Sequence, residues 1–359
     1  MSKAAELAAL IGGTSGSSLS NRNLVINGAM QVAQRGTSAV TITSTGEYPN
    51  IDRYSAGGND SSLISVEQST DAPSGFEYSL KVTSLAASTT DAADYQFIGQ
   101  RVEGYNTAQL DWGASGAKTA TVSFYVKCSV TGNIPFVIVN SNDTRVYAAN
   151  CTVSSANTWE YKTITIDGDI SGTWLKTNGI GLKFQWYMAL GSNFQGTLDQ
   201  WGTDYGASGQ INVCNTNGAT FQVTGVQLEV GEQATPFEHR SYGDELRRCQ
   251  RYYQEVGHFR HLTIGTRWTD NQIFATYNLA SVMRATPTAT ATGVPLTSRY
   301  DNGQSADASS LNTVGGVEEN TTKGANITLI WNAGYDPTGA LHYVYSNTNG
   351  DKVALDAEL

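Results

Sequence analysis

With 359 residues the chain is long enough for two or three domains of roughly 100–200 residues, each able to bury a core without disulfides or metal. Only 15% of residues are charged, against roughly 25% in ordinary soluble domains, while 37 are Gly, 18 Tyr and 7 Trp; this excludes a mainly helical protein and suits short strands joined by many turns. Acidic residues outnumber basic ones by 32 to 22, a formal charge of −10 that argues against a broad phosphate-binding surface and so against a nucleic-acid partner.

The first twelve residues, MSKAAELAALIG, predict a short helix with Ala4, Leu7, Ala8 and Ile11 at helical spacing, capped by Ser2 and ended by Gly12-Gly13. The flexible TSGSSLS linker follows at 14–20. Leu7, Ala8 and Ile11 therefore form either a docking peptide or a frayed terminus. No apolar run approaches the roughly 18–20 residues of a membrane span, and no basic region precedes an apolar core, so a soluble, non-exported chain without membrane insertion is expected.

From Asn23 the pattern turns to strands at Val40–Thr43, Leu63–Val66, Ser79–Val82, Thr121–Val126, Phe136–Val139, Thr163–Ile166, Leu182–Trp186 and Phe221–Leu228. This spacing predicts an antiparallel jelly-roll sandwich over 21–240. Neither a βαβ rhythm nor a nucleotide-binding glycine motif is present. The pattern breaks after Leu228, and Ser241 followed by Asp244 and Glu245 marks a helix start. Tyr242, Leu246, Cys249 and Tyr253 share its apolar face. This connecting helix, placed at 241–256, separates the first sandwich from a smaller one at 257–359. The expected strands there are Phe259–Ile264, Gln272–Asn278, Thr288–Thr292, Ile327–Trp331 and Leu341–Tyr345. A half-buried C-terminal strand carries Val353, Leu355, Ala357 and Leu359 on one side. Residues 297–325, rich in Ser, Asn, Gly and Asp, read as a long exposed loop. The fold class is thus all-β: a jelly roll followed by a smaller β-sandwich, with a short N-terminal helix and one inter-domain helix.

NRNLVINGAMQVAQRGTS, IDRY at 51–54, QRVEG at 100–104 and VTGVQLEVGEQATPFEHRSYGDELRRCQRYYQ together resemble the tail-fibre and appendage proteins of tailed bacteriophages. MRATPT at 283–288 and the DAEL ending are similar to a C-terminal module of such proteins. The resemblance covers residues 21 to about 292 and the last few. It implies a virion structural protein, usually a homotrimer, with a jelly roll like that of carbohydrate-binding modules. The N-terminal helix would then dock to another virion protein, and host-surface polysaccharide would be a partner. A tail fibre is the first expectation and a capsid decoration or head fibre the second; a sugar-binding protein without a structural role is the alternative class. In a trimer, Leu246, Cys249 and Tyr253 are candidate interface residues about a threefold axis, against the simpler reading that the helix packs on its own sandwich.

Sugar sites stack an aromatic face on a pyranose and bind its hydroxyls through Asn, Asp or Gln. The loop LDQWGTDYGASG supplies Trp201, Tyr205, Asp199, Gln200 and Asp204 within seven residues; Trp112 and Trp174 are weaker candidates. Nothing points to catalysis, a cofactor or a metal. His258 and His261 fall on opposite faces of an expected strand. Asp91 and Asp94, Asp167 and Asp169, and Glu318 and Glu319 read as solvated turn residues. Cys128, Cys151, Cys214 and Cys249 lack C-x-x-C spacing and read as small buried hydrophobes, with a disulfide the alternative.

Overall fold

The structure, a computed structural model, describes residues 21–61, 63–255, 278–290 and 352–359 with their side chains, and elsewhere the backbone of strands in the C-terminal region. Leu7, Ala8, Ile11, His258, His261, Glu318 and Glu319 lie outside the described residues. Contacts divide the chain into two units that meet in sequence between Ser241 and Tyr242.

The N-terminal unit contains β1 (Val40–Thr41), β2 (Tyr54–Gly58), β3 (Ile64–Ser69), β4 (Ser79–Ser84), β5 (Tyr95–Glu103), the single turn α1 (Gly104–Thr107), β6 (Ala120–Cys128), β7 (Gly132–Val139), β8 (Val146–Val153), β9 (Glu160–Ile166), β10 (Ile180–Leu190), β11 (Trp201–Gly202) and β12 (Thr220–Val230). They form two six-stranded antiparallel sheets, ordered β1-β3-β4-β12-β6-β9 and β11-β8-β7-β10-β5-β2, the jelly-roll sandwich expected from the sequence. Strand alternation fills the space between them. β6 sends Val122, Phe124 and Val126 inward, and β10 sends Leu182, Phe184, Trp186 and Met188 inward. Rings of Phe124, Phe136, Phe184 and Phe221 surround Trp186 at centroid distances of 5.0–6.3 Å. Burying each such ring stabilises the fold by roughly 1.5–3 kcal/mol. Sequence reading missed β2, β5, β8 and the two-residue β11. β5 carries Gly99 at its centre, and β8 carries the small or polar run Ala148-Ala149-Asn150 in its middle, so neither shows an unbroken β-branched run.

The segments that carry the phage resemblance are structural. Asn27, at φ +60°, donates to the carbonyls of Val32 and Asp52 and accepts from the Val32 amide, which closes the N-terminal turn inside the core. The Gln100 side chain bonds both backbone groups of Ile26. In β12 a bulge at Gly225, φ +63°, shifts the alternation by one, so Phe221 and Val223 face inward before it and Val226 and Leu228 after it. Gln227 and Glu229 then face outward yet are buried, because residues 231–240 strap across them. Thr235 bonds both Glu229 oxygens, and the Glu238 amide donates to Gln227 Oε1 at 2.8 Å. The strap ends where Glu238 accepts from the Asn23 amide and Arg240 donates to the Val25 carbonyl, pinning it to the N-terminal segment.

The C-terminal unit contains α2 (Tyr242–Gln250), β13 (Tyr253–Val256), β14 (Thr263–Thr269), β15 (Gln272–Asn278), β16 (Thr288–Thr292), β17 (Leu296–Arg299), β18 (Ser305–Asp307), β19 (Leu311–Val314), β20 (Asn326–Asn332), β21 (Leu341–Tyr345) and β22 (Lys352–Asp356). The sheets are β13-β22-β16 and β18-β17-β21-β14-β15-β20-β19. β22 sits between two partners and buries Val353, Leu355 and Ala357, as its alternation dictates. Two expectations are corrected. Residues 297–325 are not one long loop, because β17, β18 and β19 cross them as short edge or near-edge strands too polar to show a hydrophobic period. The helix ends at Gln250 rather than continuing to 254 or beyond, and Tyr253 opens a strand. Its covered face is Glu245 and Cys249, while Tyr242 is exposed. Cys249 and Tyr253 are buried and Leu246 is half-buried.

Candidate functional site

The outer face of the second sheet is built by β5 and β10. Past the inward Ile98, β5 turns Tyr95, Phe97, Gly99 and Arg101 outward; β10 presents Lys183, Gln185 and Tyr187 beside them. Gly99 lies opposite Gln185 and must be glycine, since a Cβ there would stand 2.0 Å from the Phe184 carbonyl oxygen. A register shift between Tyr187 and Ala189 ends the alternation and brings Leu190 to the same outer face.

The loop after β10 adds two further rings. Its start is tied down by the Gly191 amide to Asp94 O at 2.7 Å and the Asn193 amide to Ala92 O at 2.9 Å. It closes on itself through Tyr205 N to Phe194 O at 2.8 Å and Gly196 N to Gly206 O at 2.7 Å. Phe194 and Tyr205 thus stand side by side over the sheet. The rings form a closed circuit, Tyr95 to Phe97 to Tyr187 to Tyr205 to Phe194 and back to Tyr95, with successive centroids 5.8–6.4 Å apart. Phe97 and Tyr187 are the buried floor, and Tyr95, Phe194 and Tyr205 the half-buried wall.

These rings, with Arg101, Lys183, Asp143 and Gln185, line a cavity of about 350 Å³, within the range of roughly 300–1,000 Å³ typical of small-ligand sites. Asp143, on the turn between β7 and β8 at φ +60°, accepts from Lys183 Nζ at 2.5 Å and from the Tyr205 hydroxyl at 2.9 Å. The Tyr187 hydroxyl bonds Gln185 Oε1 at 3.1 Å. Burial pushes both phenols above their ordinary pKa, and the Asp143 carboxylate pushes Tyr205 the same way, so both are neutral hydroxyls at physiological pH. The cavity can therefore offer flat apolar faces together with hydroxyl, amide, ammonium and carboxylate groups.

Of the residues singled out in the sequence, only Tyr205 lines this cavity. Trp201 turns to the other side of the same sheet. It pairs with Tyr147 in register and packs between Trp112 and Trp174, with the three indole centroids 4.8–5.3 Å apart in edge-to-face contact. Each indole N–H is used internally: Trp112 donates to Lys118 O, Trp174 to Ser171 O and Trp201 to Asp167 O. Trp201 is therefore a packing residue and not an open platform, because the two-residue strand β11 fixes its direction before the loop turns. Asp199 and Gln200 are exposed beside it, and Asp204 accepts from the Thr197 amide within the loop. Asp169 is likewise no solvated turn residue. It is buried and takes a bidentate pair from Arg145 at 2.7 and 2.8 Å.

Sequence reading missed Tyr95, Phe97, Arg101, Asp143, Lys183, Tyr187 and Phe194. The signal was the half of the β10 alternation that does not enter the core. A larger neighbouring cavity of about 610 Å³ is lined by Thr89, Thr90, Ser192, Gln195, Gln210 and Asn212 among others, with no aromatic ring, and it lacks a stacking surface. Among the described residues no group of three His, Cys, Asp or Glu is placed to hold a metal ion. The four cysteines are free and buried, and burial holds Cys151 and Cys214 up to about 12.

No protein-family model matches the chain, and no curated protein matches it. Solved structures with similar folds include a putative sugar-binding protein from Bacteroides thetaiotaomicron (TM-score 0.34, 13% identity, 58% of this chain and 100% of that one). They also include the family 11 carbohydrate-binding module of a Clostridium thermocellum cellulosomal cellulase (0.29, 12%, 56% and 99%). The enzymatically active domain of bacteriophage CBA120 tailspike protein 4 is similar over 58% of this chain but only 22% of its own length (0.31, 10%). At such scores these likenesses are weak, and the functional reading rests on the residues of the groove.

Proposed function

We propose that this chain is a glycan-binding structural protein of a bacteriophage particle, and that its N-terminal sandwich holds the sugar on the outer face of the second sheet. The observation that carries the sugar reading is the five-ring circuit around the cavity, with half-exposed faces at Tyr95, Phe194 and Tyr205 and side-chain hydrogen-bonding groups at its edge. Apolar faces flanked by a few convergent polar groups are what a pyranose, with its C–H faces and equatorial hydroxyls, requires of a binding surface. The virion part of the reading is supported by the likeness of residues 21–38, 51–54, 100–104 and 223–254 to phage tail fibres. In that setting a homotrimer docked by its N-terminal segment would present several weak sugar sites at once and gain avidity. A role without enzymatic activity is part of the same proposal.

Retention of the full-length protein on a panel of bacterial surface polysaccharides tests it. Retention by the wild type, weakened more than about tenfold in Tyr205→Ala and unchanged in Gln200→Ala, is the expected result. Equal retention by both variants and wild type, or none by the folded protein on any glycan, would sink the sugar reading.

A further inference from the structure

Gln185 lies in the middle of β10, directly opposite Gly99 of β5; it is only 9% exposed, yet its side chain lines the aromatic cavity. Its stem lies across that glycine, since a Cβ at position 99 would stand 2.8 Å from Gln185 Cγ. The carboxamide is also oriented. The proton of the buried Tyr187 hydroxyl needs an acceptor, and Gln185 Oε1, at 3.1 Å, supplies it. With the oxygen so engaged, Nε2 is the arm left to the cavity, and among the described residues it donates to nothing. A nearly buried donor without an acceptor opposes folding, a local conflict of the kind found at functional sites.

Asp143 presents the complementary group. Its Oδ1 accepts from both Lys183 Nζ and the Tyr205 hydroxyl, at 2.5 and 2.9 Å, whereas Oδ2 accepts from no described residue. The turn between β7 and β8 brings this carboxylate to the same cavity from a different element.

From these two groups, and resting on the glycan reading above, we infer that the groove selects N-acetylated amino sugars and that Gln185 is the residue that reads them. The acetamido carbonyl accepts from Gln185 Nε2, its N–H donates to Asp143 Oδ2, and its methyl group lies against the aromatic rings. The carbonyl and N–H of a trans amide point in opposite directions, so one such group meets a donor on one side and an acceptor on the other. The hydroxyl that replaces it in a plain hexose must serve both at a single oxygen, and it brings no methyl group to the rings.

The test measures binding of the full-length protein to polyacrylamide conjugates displaying N-acetylglucosamine, N-acetylgalactosamine or N-acetylmannosamine, each against its glucose, galactose or mannose counterpart at equal density. The expected result is binding to at least one N-acetylated conjugate about tenfold or more tighter than to its counterpart, which leaves the Gln185 donor unpaired. That ratio should fall towards one in Gln185→Met. It should fall likewise in Asp143→Asn, which turns the free acceptor into a donor and keeps a residue suited to φ +60°. Near-UV circular dichroism shows whether each variant is folded. A wild-type ratio near one, with binding lost in Tyr205→Ala, would overturn the acetamido preference while leaving the sugar site standing. A tenfold ratio unchanged in the folded variants would overturn the role given to Gln185 and Asp143. Binding of no conjugate would overturn the preference, and binding undiminished in Tyr205→Ala would overturn the sugar site with it.

Discussion

The second sheet of the N-terminal sandwich carries an aromatic cluster on each face, and they differ in what their polar atoms do. On the inner side, Trp112, Trp174 and Trp201 interlock edge to face, and each indole N–H is spent on a backbone carbonyl. On the outer side, the circuit of Tyr95, Phe97, Tyr187, Tyr205 and Phe194 borders a cavity shared with Lys183, Arg101, Asp143 and Gln185. Ring count does not separate a packed cluster from a binding surface; the disposition of charge and the space beside the rings do.

The largest effect that would sharpen this contrast is expected in the packed cluster. Trp112→Ala should cost about 3–5 kcal/mol of stability, because it leaves a cavity and strips Trp174 and Trp201 of an edge contact. Urea unfolding followed by tryptophan fluorescence checks it, and a cost below about 1 kcal/mol would make the triad a surface feature. Next comes Asp169→Ala. It removes the acceptor of Arg145 Nε and Nη2, the Ser171 amide and the Trp174 indole. Since the Arg145 side chain is 25% exposed, the loss should be about 2–3 kcal/mol, below that of a fully buried pair. Calorimetry of the variant beside wild type measures it.

The smallest effect concerns the open cluster and alkali. Tyr187 and Tyr205 titrate above the ordinary tyrosine value in the fold, first because they are buried and then because Asp143 is near. Raised folded-state values mean that the neutral phenols stabilise the fold fully below the unfolded value of about 10 and lose that contribution as pH climbs towards the folded values. Unfolding free energy should fall above about pH 10, with part of the drop removed in Tyr205→Phe; an identical profile in that variant would detach Tyr205 from the titration.

How much of this was legible in the sequence varies by region. The alternation in Leu182–Trp186 and Phe221–Leu228, the turn clusters between strands, and the C-terminal Val353, Leu355 and Ala357 pattern led directly to an all-β sandwich. Gln272–Asn278, Thr288–Thr292 and Leu341–Tyr345 coincide with β15, β16 and β21. The site was only partly legible. Tyr205 was visible because it shares a Gly-bounded loop with polar residues, but the same reasoning favoured Trp201, whose direction is fixed by pairing with Tyr147 across 54 positions. Likewise the closure of Phe194 against Tyr205 depends on how the loop folds back on itself, and the meeting of Lys183 with Arg101 depends on strand order, neither of which local periodicity encodes. The helix face was misjudged for a related reason: Tyr253 is four residues from Cys249 in sequence, but the helix stops at Gln250 and a strand takes over.

The most direct test of the account is the position of a bound oligosaccharide in a complex of the full chain with a fragment of a bacterial surface polysaccharide that it retains. The sugar ring is expected against Tyr205 and Phe194 on the outer face of the second sheet. A sugar bound instead at the Trp112, Trp174 and Trp201 side, or in the aromatic-free cavity beside Asn212, would contradict it.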